Sequence, residues 1–175
     1  KRISILASRD EDVFHVDDLM MLWNVRNKNT LYTTLKRYVQ KSILYRIYNG
    51  FYSLKKIEDL DPLFLGVKAI HDFAYISTES VLVSEGVIVQ MSSYVTLVSS
   101  KSIRFQIGNY LYKSRQMTDD FLYNPIGIFE KNGYKIAIKE RAIADLLYFN
   151  PQYHFDNEES INWSKVKKIQ RGIGY

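Results

Sequence analysis

At Ser42 the spacing of apolar residues changes from that of a helix to that of a strand, and few folds accommodate such a switch. Before it, Leu31, Leu35 and Val39 recur at helical intervals, with Tyr38 beside them on the inward face. After it, Ile43-Leu44-Tyr45-Arg46-Ile47-Tyr48 and Phe51-Tyr52-Ser53-Leu54 are rich in strand formers. Between these runs stands Asn49-Gly50, a strong hairpin signal, because a type I′ turn needs positive φ at both central residues. The predicted order is helix, then hairpin.

Upstream, Ile3 and Leu6 mark the end of a first helix, and Leu19, Leu22 and Trp23 a second short one. Asp17 and Asp18 fall in the first turn of that second helix, where the dipole favours acids. Asn24-Val25-Arg26-Asn27 is a polar turn, so two helices joined by a tight turn precede the hairpin. Helix-turn-helix followed by a hairpin is a winged helix, in which the second helix of the pair enters the major groove. The unit ends before Glu58-Asp59-Leu60-Asp61-Pro62, where Asp61 reads as an N-cap and Pro62 as the first helical residue. The expected domains are therefore 1–57, a winged helix-turn-helix, and 62–175, an α+β domain.

Charge is distributed in blocks. Residues 1–23 hold three basic and five acidic groups, and residues 24–56 hold eight basic groups and no acid. Residues 57–160 hold nine basic and fourteen acidic groups, and residues 161–175 four basic groups alone. The net +5 of the 175-residue chain thus conceals a basic block inside an otherwise acidic protein, the pattern of a polyanion-binding surface. No apolar run approaches the ~20 residues that span a bilayer, so no membrane partner is expected. With no cysteine there can be no disulfide, thiol catalysis or thiolate metal site, which fits a cytoplasmic protein. Lys1 in place of Met marks the chain as a trimmed piece of a longer product.

The second half mixes both periods. A helix is predicted over 61–74 with Leu63, Val67 and Ile70 on one face. Another is capped by Ser77, carries Glu79 in its first turn and closes on Gly86. Strands are predicted at 94–98, 103–107, 110–112 and 126–130, the last joined to 134–138 across Asn132-Gly133, a second type I′ signal. Ala142, Ile143, Leu146 and Leu147 mark a helix ending before Pro151, and a final helix over 161–170 places Trp163, Val166 and Ile169 on one side.

Three strings in this order give the chain a resemblance to the AbiEi family of antitoxin-type transcriptional regulators from bacterial type IV toxin–antitoxin systems. Asn-Gly-Phe-Tyr-Ser-Leu (49–54) is similar to the family's wing ending. Ala-Tyr-Ile-Ser-Thr-Glu-Ser-Val-Leu-Val-Ser-Glu-Gly (74–86) resembles its Tyr-Ile-Ser helix, and Ile-Lys-Glu-Arg-Ala-Ile-Ala-Asp-Leu-Leu-Tyr (138–148) its Glu-Lys-Ala-Leu-x-Asp-Leu helix. Two positions depart from the family's pattern: Ser42 stands where Gly is frequent, and His15 where a Ser or Thr N-cap is common. The resemblance implies a repressor of its own operon that counteracts a nucleotidyltransferase-like toxin encoded alongside, without stable contact between the two. It also implies that the C-terminal domain contributes to antitoxicity and regulation.

On the outward face of the third helix, Asn29, Thr33 and Arg37 lie four apart and are candidates for base-edge contacts. Lys28, Tyr32, Lys36 and Lys41 suit phosphates, and Arg46 and Asn49 on the wing suit either the minor groove or the backbone. Lys165, Lys167, Lys168 and Arg171 read either as a solvated helix face or as a second DNA contact. His15, His71 and His154 are too scattered for a metal site, and Glu140 and Asp145, five apart, face different directions. No phosphate loop, nucleophile elbow or paired-carboxylate motif appears, so neither an enzyme nor a cofactor is expected. Two functions remain: a regulator binding double-stranded DNA at its own promoter, or a protein-interaction module whose basic face binds an acidic partner such as the toxin.

Overall fold

A computed structural model describes residues 2–175 and divides the chain into two compact units, the first ending at Asp61 and the second beginning at Pro62. The protein is mixed α+β, with eight α-helices and two sheets among the described residues.

The first unit runs α1 (Arg2–Ala7), β1 (Val13–His15), α2 (Val16–Leu22), α3 (Lys28–Gln40), β2 (Tyr45–Tyr48) and β3 (Phe51–Ser53), with a short 3₁₀ turn at Ile57–Asp59. Its core joins Leu6, Phe14, Leu19, Trp23, Leu31, Leu35, Leu44 and Tyr52. Each fully buried Leu there contributes roughly 1.5–3 kcal/mol. The Trp23 indole N–H donates to the Arg2 carbonyl at 3.1 Å, which ties α1 to the end of α2.

Two features of this unit differ from the sequence expectation. β1 is an additional strand that pairs antiparallel with β3, giving a three-stranded sheet of order β1-β3-β2. Three residues are too few to show a period of two, so Val13–His15 carries no readable strand signal. The hairpin forms, but not through a type I′ turn: Gly50 has φ +67°, whereas Asn49 does not adopt positive φ. A register shift between Arg46 and Tyr48 places an extra residue in β2, and such a bulge supplies the twist that a primed turn would otherwise provide. At Asn132-Gly133 both residues do have positive φ, 49° and 80°, as expected there.

The second unit contains α4 (Pro62–Ile70), β4 (Ala74–Ile76), α5 (Glu79–Ser84), β5 (Tyr94–Ser99), β6 (Ile103–Ile107) and β7 (Tyr110–Gln116). It continues with α6 (Asp119–Leu122), β8 (Ile128–Lys131), β9 (Tyr134–Ala137), α7 (Lys139–Phe149) and α8 (Trp163–Ile173). Its strands form one mixed sheet of order β6-β7-β5-β4-β9-β8, in which β4–β9 and β5–β7 are parallel. α4 packs so closely on one face that a Cβ on Gly66 would lie 2.5 Å from the Tyr112 ring. α5 is tied to β5 by a reciprocal pair: the Thr96 N–H donates to Ser80 Oγ at 2.8 Å, and the Ser80 N–H to Thr96 Oγ1 at 3.0 Å.

Three expectations for this unit need correction, and one helix was not expected. The helix predicted over 61–74 stops at Ile70, because His71 turns to φ +52° and Ala74–Ile76 becomes an interior strand. All three of those strand residues are buried, so they show no alternation to separate them from a buried helix. Thr78, not Ser77, occupies the N-cap of α5, and the four-residue α6 carried no readable period. Trp163 is 37% exposed, and the buried stripe of α8 is Val166, Ile169 and Ile173.

Asp145 and Arg141 are fully buried and joined by an ion pair at 2.8 Å. Arg141 uses all five N–H donors: Nε to Asp145, Nη1 to the Asn124 and Ile126 carbonyls, and Nη2 to the Tyr75 hydroxyl and the Phe121 carbonyl. Asp145 accepts in turn from Tyr75 at 3.1 Å, from Ser77 Oγ at 2.7 Å and from the Tyr175 hydroxyl. Burial, and then the Asp145 charge, push the Tyr75 and Tyr175 hydroxyls far above their ordinary range, so both remain protonated donors. Removing one member of a buried ion pair leaves its partner uncompensated. Asp145→Ala should therefore destabilise the chain by about 3–5 kcal/mol, read from urea denaturation against wild type.

A second pair, Glu79 with Arg115, is bidentate at 2.5 Å. Burial alone would raise the Glu79 pKa, but the Arg115 hydrogen bonds and charge override it and hold the carboxyl at about 2. A depressed carboxyl contributes its stability above the unfolded value, near 4.5, and loses it as pH falls toward 2. Denaturation midpoints should drop across that window in wild type and vary less steeply with pH in Glu79→Gln.

Candidate nucleic-acid interface

α3 begins at Asn27, whose side-chain oxygen accepts from the Asn29 N–H at 2.8 Å and the Thr30 N–H at 3.3 Å. This cap satisfies two of the free donors at the helix start. From there Leu31, Thr34 and Leu35 point into the core, which turns Lys28, Asn29, Tyr32, Thr33, Lys36, Arg37 and Gln40 outward.

These outward residues form two ridges. Asn29, Thr33 and Arg37, four apart, make one. Tyr32, Lys36 and Gln40 make the other, and with Val39, Arg46 and Tyr52 they line a cleft of about 410 Å³ between α3 and the hairpin. The six candidates for base and phosphate contacts on α3 are therefore on one exposed surface, but only the second ridge borders this cleft. Thr33 is partly engaged already, since its hydroxyl donates to the Asn29 carbonyl at 2.9 Å and keeps its lone pairs for an outside donor. Tyr52, 6% exposed, forms a wall of the cleft; its register partner across the hairpin is Arg46. Burial raises the Tyr52 hydroxyl pKa, and the Arg46 charge opposes that. Sequence reading placed Tyr52 only in the strand; a regular Asn49-Gly50 hairpin would set Ile47 opposite it, and the bulge in β2 brings Arg46 there instead.

The charges are not all free. Lys28 pairs with Asp17 of α2 at 3.0 Å, and its ammonium is raised by that hydrogen bond and charge. Lys55 pairs with Asp12 at 2.7 Å. Among the described residues no ion pair is seen for Arg26, Lys36, Arg37, Lys41, Arg46 or Lys56. Arg46 donates to Asn49 Oδ1 at 3.1 Å, so the two wing candidates hold each other at the hairpin end. The acid-free block thus becomes a surface of uncompensated cations, with Lys28 neutralised at one end.

In the second unit the four basic residues of α8 are exposed but do not act as one cluster. Lys165 pairs with Glu140 of α7 at 3.1 Å; Lys168, three residues on, lies beside it on the helix, whereas Lys167 and Arg171 point away from it. Among the described residues no group of His, Cys, Asp or Glu could hold a metal ion, and no helix is long and apolar enough to cross a membrane. His15 stacks on Phe51 with ring centroids 4.5 Å apart.

The end of α3 explains a local feature of the sequence. Ser42 has φ +52°, its N–H donates to the Val39 carbonyl at 3.0 Å, and the Ile43 N–H to the Tyr38 carbonyl at 2.9 Å. This is a Schellman closure with Ser in the left-handed position that Gly favours. Ser42→Gly should stabilise the chain by about 1 kcal/mol; an unchanged or lowered urea midpoint would refute the strain. Compared with known proteins, the chain matches no family model and no curated protein.

Proposed function

We propose that the chain is a DNA-binding transcriptional regulator with a winged helix as its first unit, that it represses its own operon, and that it serves as the antitoxin of a type IV, AbiE-like toxin–antitoxin system. The observation that carries the DNA reading is α3, a capped 13-residue helix whose exposed surface presents Asn29, Thr33, Lys36 and Arg37 and no carboxylate. Amide and guanidinium groups can bond bidentately to purine edges, and ammonium groups can meet phosphates. The order α1-β1-α2-α3-β2-β3 with a three-stranded sheet supports the winged-helix reading, since it sets a hairpin beside the helix that would enter the groove. In this reading Asn29, Thr33 and Arg37 contact bases, Tyr32, Lys36 and Lys41 contact phosphates, and Arg46 with Asn49 extends the wing. Lys28 joins them only by giving up Asp17.

The antitoxin part rests on the resemblance to the AbiEi family. Its functional partner is a nucleotidyltransferase-like toxin, its setting the cytoplasm, and its action binding rather than catalysis. Lys167, Lys168 and Arg171 would widen the DNA footprint.

The test is binding to the chain's own upstream duplex and to a scrambled duplex across a salt series. Log K should fall with log salt at about −0.9 per phosphate contact, and the native duplex should be preferred by ~10³-fold or more. Arg37→Ala should remove about 1–3 kcal/mol of that discrimination. Weak binding without preference would overturn the regulator and assign the basic surface to an acidic protein partner.

A further inference from the structure

The sheet of the second unit carries an electrostatic conflict unrelated to α3. β6 pairs antiparallel with β7 so that Arg104 lies directly opposite Lys113. Opposed residues have Cβ atoms about 5 Å apart on one face, and like charges placed so destabilise a sheet. β5 adjoins β7 in parallel and sets Tyr94, Thr96 and Val98 level with Leu111, Lys113 and Arg115. Arg104, Lys113 and Arg115 therefore share one face, opposite to that on which Tyr112 meets α4.

The acid within reach is already engaged. Glu79 gives both carboxylate oxygens to Arg115, which also donates to Thr78 Oγ1 at 2.9 Å. Among the described residues no carboxylate pairs with Arg104 or Lys113. The Arg104 guanidinium lies over the Tyr94 ring, 5.7 Å from its centroid, in the arrangement of a cation–π contact. Arg104 is exposed and Lys113 half-buried, so solvent reaches both. The Lys113 ammonium is held below its ordinary value by burial first and then by Arg115 and Arg104, with Glu79 opposing. Tyr153, raised by burial and then by Glu79 and Asp156, is also within reach of Arg115.

We propose that this face of β6 and β7 is a phosphate-binding site, with a phosphoryl dianion seated between the Arg104 guanidinium and the Lys113 ammonium. Two cations directly opposite each other on adjacent strands match a dianion better than a single carboxylate. The guanidinium fork pairs with two phosphoryl oxygens while the ammonium takes a third as a point charge. Tyr94 steadies the fork, and Glu79 keeps Arg115 from the same anion. The phosphate belongs to a phosphomonoester, whose terminal phosphoryl group carries two charges and three free oxygens, where a nucleic-acid backbone phosphate carries one charge and two.

The full chain is titrated with inorganic phosphate at constant ionic strength set by chloride, and the Lys113 ammonium and Arg104 guanidinium are followed by NMR. A saturable shift is expected at both groups, with the Lys113 pKa rising on binding. Arg104→Gln and Lys113→Gln should each weaken the binding about tenfold, the loss of one charge-assisted contact. Arg37→Ala should leave it unchanged, which separates this site from the proposed DNA interface. Adenosine monophosphate and a scrambled duplex are then added as competitors. Displacement by the nucleotide and not by the duplex is the result expected of a phosphomonoester site, and displacement by the duplex overturns it. Phosphate that acts no differently from chloride, or displacement by polyglutamate alone, overturns the proposal. Thermal melts check that both variants fold. A face that is merely repulsive would give variants that melt higher and a wild type indifferent to phosphate.

Discussion

The second unit depends on one buried ion pair. Arg141 and Asp145 sit one helical turn apart in α7, both without solvent contact, and removing two such charges from water is favourable only when every donor and acceptor is met. That condition is satisfied here by elements distant in sequence. The Tyr75 hydroxyl at β4, Ser77 before α5, the carbonyls of 121, 124 and 126, and the Tyr175 hydroxyl all converge on the pair. Polar groups that would each be costly to bury alone thereby specify how α7, the interior of the sheet and the chain after α8 fit together. No buried side-chain polar atom among the described residues is left without a partner.

This network gives a physical meaning to two of the strings on which the family resemblance rests. Tyr75 and Ser77 come from Tyr-Ile-Ser, and Arg141 and Asp145 from the α7 string, and they meet around one carboxylate. A short pattern of this kind can therefore mark a packing arrangement rather than a reactive site. The charge balance of the first unit follows the opposite logic. There the eight basic residues of 24–56 are exposed; among the described residues Lys28 and Lys55 are matched, by acids from the preceding acidic stretch, and no ion pair is seen for the other six. The remaining cations stay available to a polyanion. In the second unit Lys113 combines both situations, since it is half-buried and yet, like the exposed Arg104 opposite it, is paired with no carboxylate among the described residues.

Much of the first unit was legible in the sequence because its determinants are local. The stripe Leu31, Leu35, the polar turn 24–27 and the change of period after Ser42 each act within a few residues, and α3 and the hairpin follow from them. What escaped reading was short or buried: β1 with three residues, β4 with no exposed position, α6 with a single turn. The Asn49-Gly50 turn took another form because the bulge in β2, a property of the pairing, supplied the twist. The site residues on α3 were legible as a face, but their sorting into two ridges, and the engagement of Lys28 by Asp17, were not.

The sequence by itself determined α3, the two hairpins and where positive charge is concentrated, because period, turn chemistry and local composition are written residue by residue. Only the tertiary structure decided which charges cancel. The i, i+4 spacing of Arg141 and Asp145 permits an ion pair, but the hydroxyls and carbonyls that make its burial tolerable come from positions up to 70 residues away. Likewise the opposition of Arg104 to Lys113 exists only once β6 and β7 are in register. Electrostatic energy depends on distance and on exclusion of water, and both are properties of the folded chain.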